Sequence, residues 1–126
     1  MKDIVLTDKG PKPIGPYSQA VKSNGFLFAS GQVALDPRTN EFIGGDIRQQ
    51  TERAMENIKA VIEAAGSNLH HVVKTTVFLK DMNDFAAMNE AYTSMIKGDV
   101  PTRVTVGAQL MAADNLVEMS MLAILP

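Results

Sequence analysis

The chain contains no cysteine, no tryptophan and only two histidines among its 126 residues. The absence of cysteine excludes disulfides, a thiolate nucleophile and thiolate metal ligands, and it is typical of proteins from a reducing compartment. The histidines, His70 and His71, are adjacent. On a strand they would point to opposite faces, so we interpret them as a surface turn pair rather than as ligands of one metal ion. No metal and no cofactor is expected.

The chain also has no excess of positive charge and no long apolar run. Its formal net charge is −2 and its pI is about 5.6, so it offers no positive field for nucleic acid phosphates. No segment approaches the roughly 18 consecutive apolar residues of a membrane span. Residues 1–8 lack the apolar run of a signal peptide. We therefore expect a soluble, cytoplasmic protein that binds a small molecule and does not bind a membrane. Nucleic acid is a poor candidate for its ligand.

What is present is an ordinary globular composition, with 45% hydrophobic and 21% charged residues. A chain of this length is expected to form a single domain over residues 1–126. β-Prone runs predict six strands, at Lys2–Leu6, Tyr17–Lys22, Phe26–Ser30, Val72–Lys80, Thr102–Gln109 and Leu116–Leu125.

Turn residues and helical periodicity complete the prediction. Asn24-Gly25 predicts a tight hairpin, and the three prolines within residues 10–16 predict an extended loop that delivers Tyr17 to a defined place. A long amphipathic helix is predicted from an N-cap at Asp46 to Ala65, before Gly66. A second helix should begin near Asn83 or Asp84, carry an apolar stripe that includes Phe85 and Tyr92, and end at Gly98.

This order of elements predicts an α+β fold, a two-layer sandwich in which a sheet of about six strands carries two helices on one face. The last two strands are expected to pair as a hairpin. Several strands carry apolar residues in both registers, so one face of the sheet should need a second cover. Self-association of three copies is the economical answer, and it would create three equivalent clefts between neighbours.

Two charged residues stand inside apolar strands. Arg103 lies in a β-branched segment, and Glu118 lies in the largely apolar run 116–122. Such charges are costly unless they are paired or used. One interpretation is a structural ion pair across the hairpin, and spacing alone does not fix the register that it needs. The other is a site in which Arg103 binds a carboxylate and Glu118 orients a water molecule.

Other candidates have weaker signals. Asn89 lies four residues after Phe85 on the same helical face, where a solvated or capping amide is an equally simple interpretation. Tyr17 can be a packing aromatic with its hydroxyl at the surface. Ser30 lies in Ala-Ser-Gly-Gln, not in the Gly-x-Ser-x-Gly turn of a serine hydrolase.

Several segments together resemble the Rid family of reactive intermediate (enamine/imine) deaminases, also called the YjgF family, and in particular its RidA-like subgroup. The resemblance rests on seven segments in order over nearly the whole chain: residues 14–20 (IGPYSQA), 28–32 (FASGQ), Gln50-Thr51 with Asn57-Ile58, 73–79 (VKTTVFL), 85–92 (FAAMNEAY), Pro101-Thr102-Arg103 and Val117-Glu118.

The resemblance implies a chorismate-mutase-like α+β fold, a mixed sheet and a homotrimer with ligand clefts between subunits. It implies hydrolysis of 2-imino acids such as 2-iminobutanoate and 2-iminopropanoate to 2-keto acids and ammonia. Arg103 would bind the substrate carboxylate and Glu118 would position the attacking water. Substrate contacts are implied for the remaining site residues, which are Tyr17, Ser30, Gly31, Phe85, Asn89 and Thr105.

The chain departs from the family pattern at some positions, and other functions stay open. Thr105 stands where many members carry cysteine, Ser120 where a second acidic residue is common, and residues 107–111 lack the usual Arg-Leu-Pro. A regulator that binds 2-keto acids in the same clefts without turnover is the main alternative. A ribonuclease, an activity also attached to the family, is disfavoured because the sequence shows no basic patch and no histidine pair suited to acid–base work.

Overall fold

The computed structural model describes residues 1–126, and it has the predicted α+β architecture. Its elements in chain order are β1 (Asp3–Val5), β2 (Ala20–Ser23), β3 (Phe26–Gln32), α1 (Ile47–Ala64), β4 (Val72–Leu79), α2 (Phe85–Thr93), β5 (Thr102–Gly107) and β6 (Val117–Ile124). Short 3₁₀ turns at Leu69–His71 and Met82–Asp84 precede β4 and α2. Neither α-helix is both long and apolar enough to cross a membrane.

All six strands form one mixed sheet in the order β1-β2-β3-β6-β4-β5. β4 and β5 run parallel, and every other neighbouring pair is antiparallel. The predicted hairpin between the last two strands is therefore wrong. A parallel pair requires a crossover connection, and α2 supplies it between β4 and β5. The chain then leaves the edge strand β5 and returns at β6 between β3 and β4.

The local signals at turns and helix ends are confirmed. Asn24 and Gly25 both have positive φ, 52° and 80°, which suits the tight turn between β2 and β3. The Asp46 side chain accepts a hydrogen bond from the backbone N–H of Gln49, and the Gln49 side-chain Oε1 accepts one from the backbone N–H of Asp46, so α1 begins with a capping box. Gly66 follows this helix with φ 89°, a conformation that favours glycine.

The second helix is shorter than its apolar stripe indicated. α2 ends at Thr93 rather than at Gly98. The Ser94 hydroxyl donates to the carbonyl of Ala91, and the Ile96 N–H still bonds to the carbonyl of Tyr92. Side-chain competition for the last carbonyls thus ends the helix, while Ile96 stays buried in the core without being helical.

Both helices pack on one face of the sheet. A single cluster of 21 buried residues contains side chains of α1 and α2 together with alternate residues of β3, β4 and β6. The opposite face, called the open face below, carries partly exposed apolar side chains of several strands. Phe26 and Phe28 are 42% and 47% exposed, and Val104 and Ile124 are 51% and 41% exposed. The expected two-sided apolar sheet is present, with one side covered by helices.

Candidate active site

Arg103 lies in β5 on the helical side of the sheet. Its backbone pairs with the fully buried Thr75, and its side chain is partly exposed. The guanidinium Nη2 donates to Asn89 Oδ1 over 2.7 Å. The guanidinium carbon lies 5.0 Å from the ring centroid of Tyr92 and 5.6 Å from that of Phe85. These four side chains, Arg103, Asn89, Tyr92 and Phe85, form what we call the arginine group.

One stripe of α2 supplies all three neighbours of Arg103. Phe85, Asn89 and Tyr92 follow one another at four and three residues, so their side chains share one face of the helix. Phe85 is 40% exposed and Tyr92 only 6%, so the guanidinium lies between an outer and an inner ring. The remaining N–H groups of this fork can bind a planar anion bidentately.

Thr105 lies two residues after Arg103 on the same strand, and it therefore faces the same side of the sheet. Its backbone pairs with Val77, and its side chain is partly exposed. Three of the substrate-contacting residues expected from the sequence thus lie on the same side of the sheet as Arg103, namely Phe85, Asn89 and Thr105.

Glu118 lies elsewhere, in a cavity of about 550 Å³ that it lines together with Tyr17, Ser30 and Gly31. We call these four residues the glutamate group. Gly31 allows the carboxylate to approach the backbone, because a Cβ placed on Gly31 would stand 3.0 Å from Glu118 Cδ and still closer to Oε2. Glycine at this position is thus required by the close approach of the carboxylate.

The environment of Glu118 favours its protonated form relative to an ordinary glutamate. Its side chain is half-buried, and burial raises its pKa above the usual value. Neither of the two ion pairs of the chain, Arg38–Asp36 and Arg48–Glu90, involves Glu118. A carboxylate with a raised pKa in a cavity is suited to accept a proton and to return it.

A buried glutamine holds the proline-rich wall of this cavity. Gln19 is 2% exposed; its Oε1 accepts from the Thr7 N–H, and its Nε2 donates to the carbonyls of Thr7 and Pro11. Tyr17 OH accepts from the Ile14 N–H over 3.2 Å, and Ser30 Oγ donates to the Ser18 carbonyl over 2.6 Å. Sequence reasoning did not assign a role to Gln19, because an amide within a β-prone run gives no local signal.

The two groups lie on opposite faces of the sheet. Arg103 aligns with Thr75 and Met121, which face the helices, whereas Glu118 aligns with Phe78 and alternates with the core residues Val117 and Met119. β4 also separates their strands. The structural ion pair between Arg103 and Glu118, one of the two interpretations of the sequence, is therefore absent within the chain.

The histidines take no part in either group. His70 and His71 form the 3₁₀ turn before β4, where His70 is exposed and His71 partly exposed. This agrees with the surface turn pair expected from the sequence.

Comparisons with known proteins agree on one class. The family model described as Endoribonuclease L-PSP matches residues 7–125. A RutC family protein of Pyrococcus abyssi is 51% identical over 122 residues, which cover 97% of this chain and 96% of that protein. A mouse protein named 2-iminobutanoate/2-iminopropanoate deaminase is 36% identical, covering 98% of this chain and 92% of its own length.

Solved structures give the same result for the fold. The crystal structure of RidA from an Antarctic Psychrobacter species superposes with a TM-score of 0.93 at 38% identity, covering 98% of this chain and 99% of that one. The chain belongs to the Endoribonuclease L-PSP family, the family of the RutC and RidA proteins, as its sequence segments indicated.

Proposed function

We propose that the chain hydrolyses 2-imino acids to 2-keto acids and ammonia, with 2-iminobutanoate and 2-iminopropanoate as representative substrates. The observation that carries the proposal is the composition of the two groups. One presents a guanidinium fork between two aromatic rings, and the other presents a half-buried carboxylate with a raised pKa in a cavity. The deaminase name of the mouse relative supports the same reaction.

The arginine group accounts for substrate binding. A 2-imino acid carries its carboxylate next to the electrophilic C=N carbon, so a fork that binds the carboxylate fixes the position of the reacting carbon. Arg103 has one hydrogen bond to Asn89 Oδ1 and retains further donors for a ligand. Phe85, at the exposed side of the guanidinium, provides an apolar contact for the substrate.

The glutamate group accounts for hydrolysis. Glu118 takes a proton from water as the water oxygen bonds to the C=N carbon, which gives a carbinolamine. That proton passes to the nitrogen and completes the carbinolamine. The hydroxyl proton of the carbinolamine then moves to the nitrogen through the same carboxylate, the C–N bond breaks, and ammonia leaves while a 2-keto acid remains. No further reactant is needed, since imine and water together equal keto acid and ammonia. A positioned general base typically contributes ~10²–10⁴-fold.

A complete site requires two copies of the chain, because Arg103 and Glu118 belong to opposite faces of one sheet. The apolar open face gives neighbouring copies a surface to bury, and Glu118 lies on it. Three copies that turn their open faces inward would bring the β5 edge of one copy to the glutamate group of the next. We therefore propose a homotrimer with three equivalent sites.

The test is imine decay in the presence of the purified chain. An amino acid oxidase or a dehydratase generates the imine in situ, and its disappearance is followed with and without protein. We expect acceleration by the wild type and loss of most of it in Arg103→Ala. Arg38→Ala, which removes an exposed arginine paired with Asp36, is the matched control and should keep full activity. Binding of 2-ketobutyrate without any acceleration would instead indicate the non-catalytic regulator.

A further inference from the structure

The hydroxyl of Tyr92 makes a buried contact that the proposed reaction does not require. It donates to Thr75 Oγ1 over 3.1 Å, and the two residues are 6% and 0% exposed. Burial of a tyrosine ring needs no such bond, but its hydroxyl must find a partner once it is buried. Thr75 is the residue that pairs with Arg103 between β4 and β5.

These contacts connect the backbone of Arg103 to its own guanidinium through Thr75 and Tyr92. The backbone of Arg103 is fixed beside Thr75, Thr75 fixes the Tyr92 hydroxyl, and the Tyr92 ring lies 5.0 Å from the guanidinium carbon. A side chain as long as arginine has many rotamers, and a ring locked in one position removes most of them. Asn89 fixes one end of the fork by its hydrogen bond.

We propose that Tyr92 and Thr75 are a positioning pair that sets the orientation of the Arg103 guanidinium and thereby the preference of the site for ligands that carry a carboxylate. This inference rests on the proposed function in one respect, namely that Arg103 binds the carboxylate. Neither residue touches the reacting atoms; both act through Arg103.

Two isosteric substitutions break the same bond from its two sides. Tyr92→Phe keeps the ring under the guanidinium and removes the donor, and Thr75→Val keeps the shape of the strand and removes the acceptor. Ser67→Ala is the matched control, because it removes another largely buried hydroxyl, which donates to the Ile124 carbonyl over 2.8 Å, away from Arg103.

The measurement is the affinity of the full-length protein for 2-ketobutyrate and for its neutral amide by calorimetry, with imine turnover recorded on the same samples. We expect each substitution to weaken 2-ketobutyrate binding about three- to tenfold, the factor that one net hydrogen bond represents. Affinity for the amide should stay unchanged, and the double variant should be no worse than either single one. In turnover, KM should rise more than kcat falls.

The outcomes separate this inference from the proposed function. An unchanged preference for acid over amide in either folded variant would overturn the positioning pair, as would an equal loss in Ser67→Ala. If the wild type binds 2-ketobutyrate but does not accelerate imine decay, the proposed reaction fails while the affinities still test the pair. A wild type without any preference for the acid would contradict both. Either variant alone suffices if the other does not fold, and circular dichroism checks this.

Discussion

Arg103 and Glu118 lie on opposite faces of one sheet, on strands β5 and β6 that are separated by β4. No rotamer change can bring two side chains together across a sheet whose helical side is filled by a packed core. A site that uses both charges must therefore take them from different copies of the chain.

Mixing two inactive variants tests this directly. Arg103→Ala and Glu118→Gln subunits, unfolded together and refolded, should regain activity, because a Glu118→Gln subunit supplies Arg103 to the glutamate group of an Arg103→Ala neighbour. For random trimers made from equal amounts, about a quarter of the sites contain both native residues. Imine decay should reach roughly that fraction of the wild-type rate, and each variant refolded alone is the control. A mixture no more active than its components would contradict a shared site.

Gly31 offers a test of how closely the Glu118 carboxylate must be placed. In Gly31→Ala the added Cβ overlaps the carboxylate, which is the mobile end of a side chain and can move away at little cost in stability. We expect imine hydrolysis to fall at least tenfold, within the range that a general base contributes, while the melting temperature changes little. Gly107→Ala is the matched control, since its Cβ would meet Met82 Cγ at an ordinary 3.5 Å. Equal activity in the two variants would show that hydrolysis does not depend on the close approach of the Glu118 carboxylate to Gly31.

Much of the fold could be predicted because its signals are local. The Asn24-Gly25 turn and the N-cap at Asp46 each depend on residues within four positions, and each is confirmed. Strand pairing could not be predicted in the same way. The crossover through α2 places β5 at the edge beside β4, and β6 pairs with β3 and β4, which lie far from it in the chain.

The candidate site likewise combines residues that a local signal identifies with residues that only long-range contacts identify. Arg103 and Glu118 were recognisable as charges inside apolar strands, a signal that single residues carry. Tyr92 was not recognisable as a site residue, because an ordinary core also requires aromatic residues on the apolar stripe of a helix. Its partner Thr75 lies 17 residues away, and the partners of Gln19 lie 8 to 12 residues away. Such contacts become visible only when the chain has folded.

Gln19 should contribute to stability through the proline-rich loop. Gln19→Met keeps the volume of the side chain but leaves the carbonyls of Thr7 and Pro11 without their donor and the Thr7 N–H without its acceptor. We expect the free energy of unfolding to fall by about 2 kcal/mol, the order of cost for buried polar groups left unpaired. Urea denaturation at one protein concentration measures it, with Gln109→Met, at an exposed glutamine, as control. Equal midpoints in the two variants would contradict this role of Gln19.

Glu118 should give activity and stability opposite dependences on pH. Because burial raises its pKa in the folded protein, the protonated form is the one that the fold favours. Its contribution to stability is fully present below the ordinary pKa that glutamate has in the unfolded chain, and it is lost as the pH rises through the higher folded pKa. Glutamine does not titrate, so Glu118→Gln should melt above the wild type at pH 7, and the difference should shrink as the pH falls toward 4.

The proposed role of Glu118 as a general base requires the other protonation state, the carboxylate. Wild-type kcat/KM should fall as the pH drops through the raised pKa of Glu118, whereas Glu118→Gln should show a low, flat profile at least tenfold below the wild type at pH 7. Melting curves and imine decay on the same two proteins between pH 4 and pH 8 make the comparison. Glu63→Gln, at an exposed glutamate of α1, is the control for the loss of one negative charge. A variant that is both less stable and fully active at pH 7 would show that Glu118 is a structural charge, and the proposed base would have to be another group.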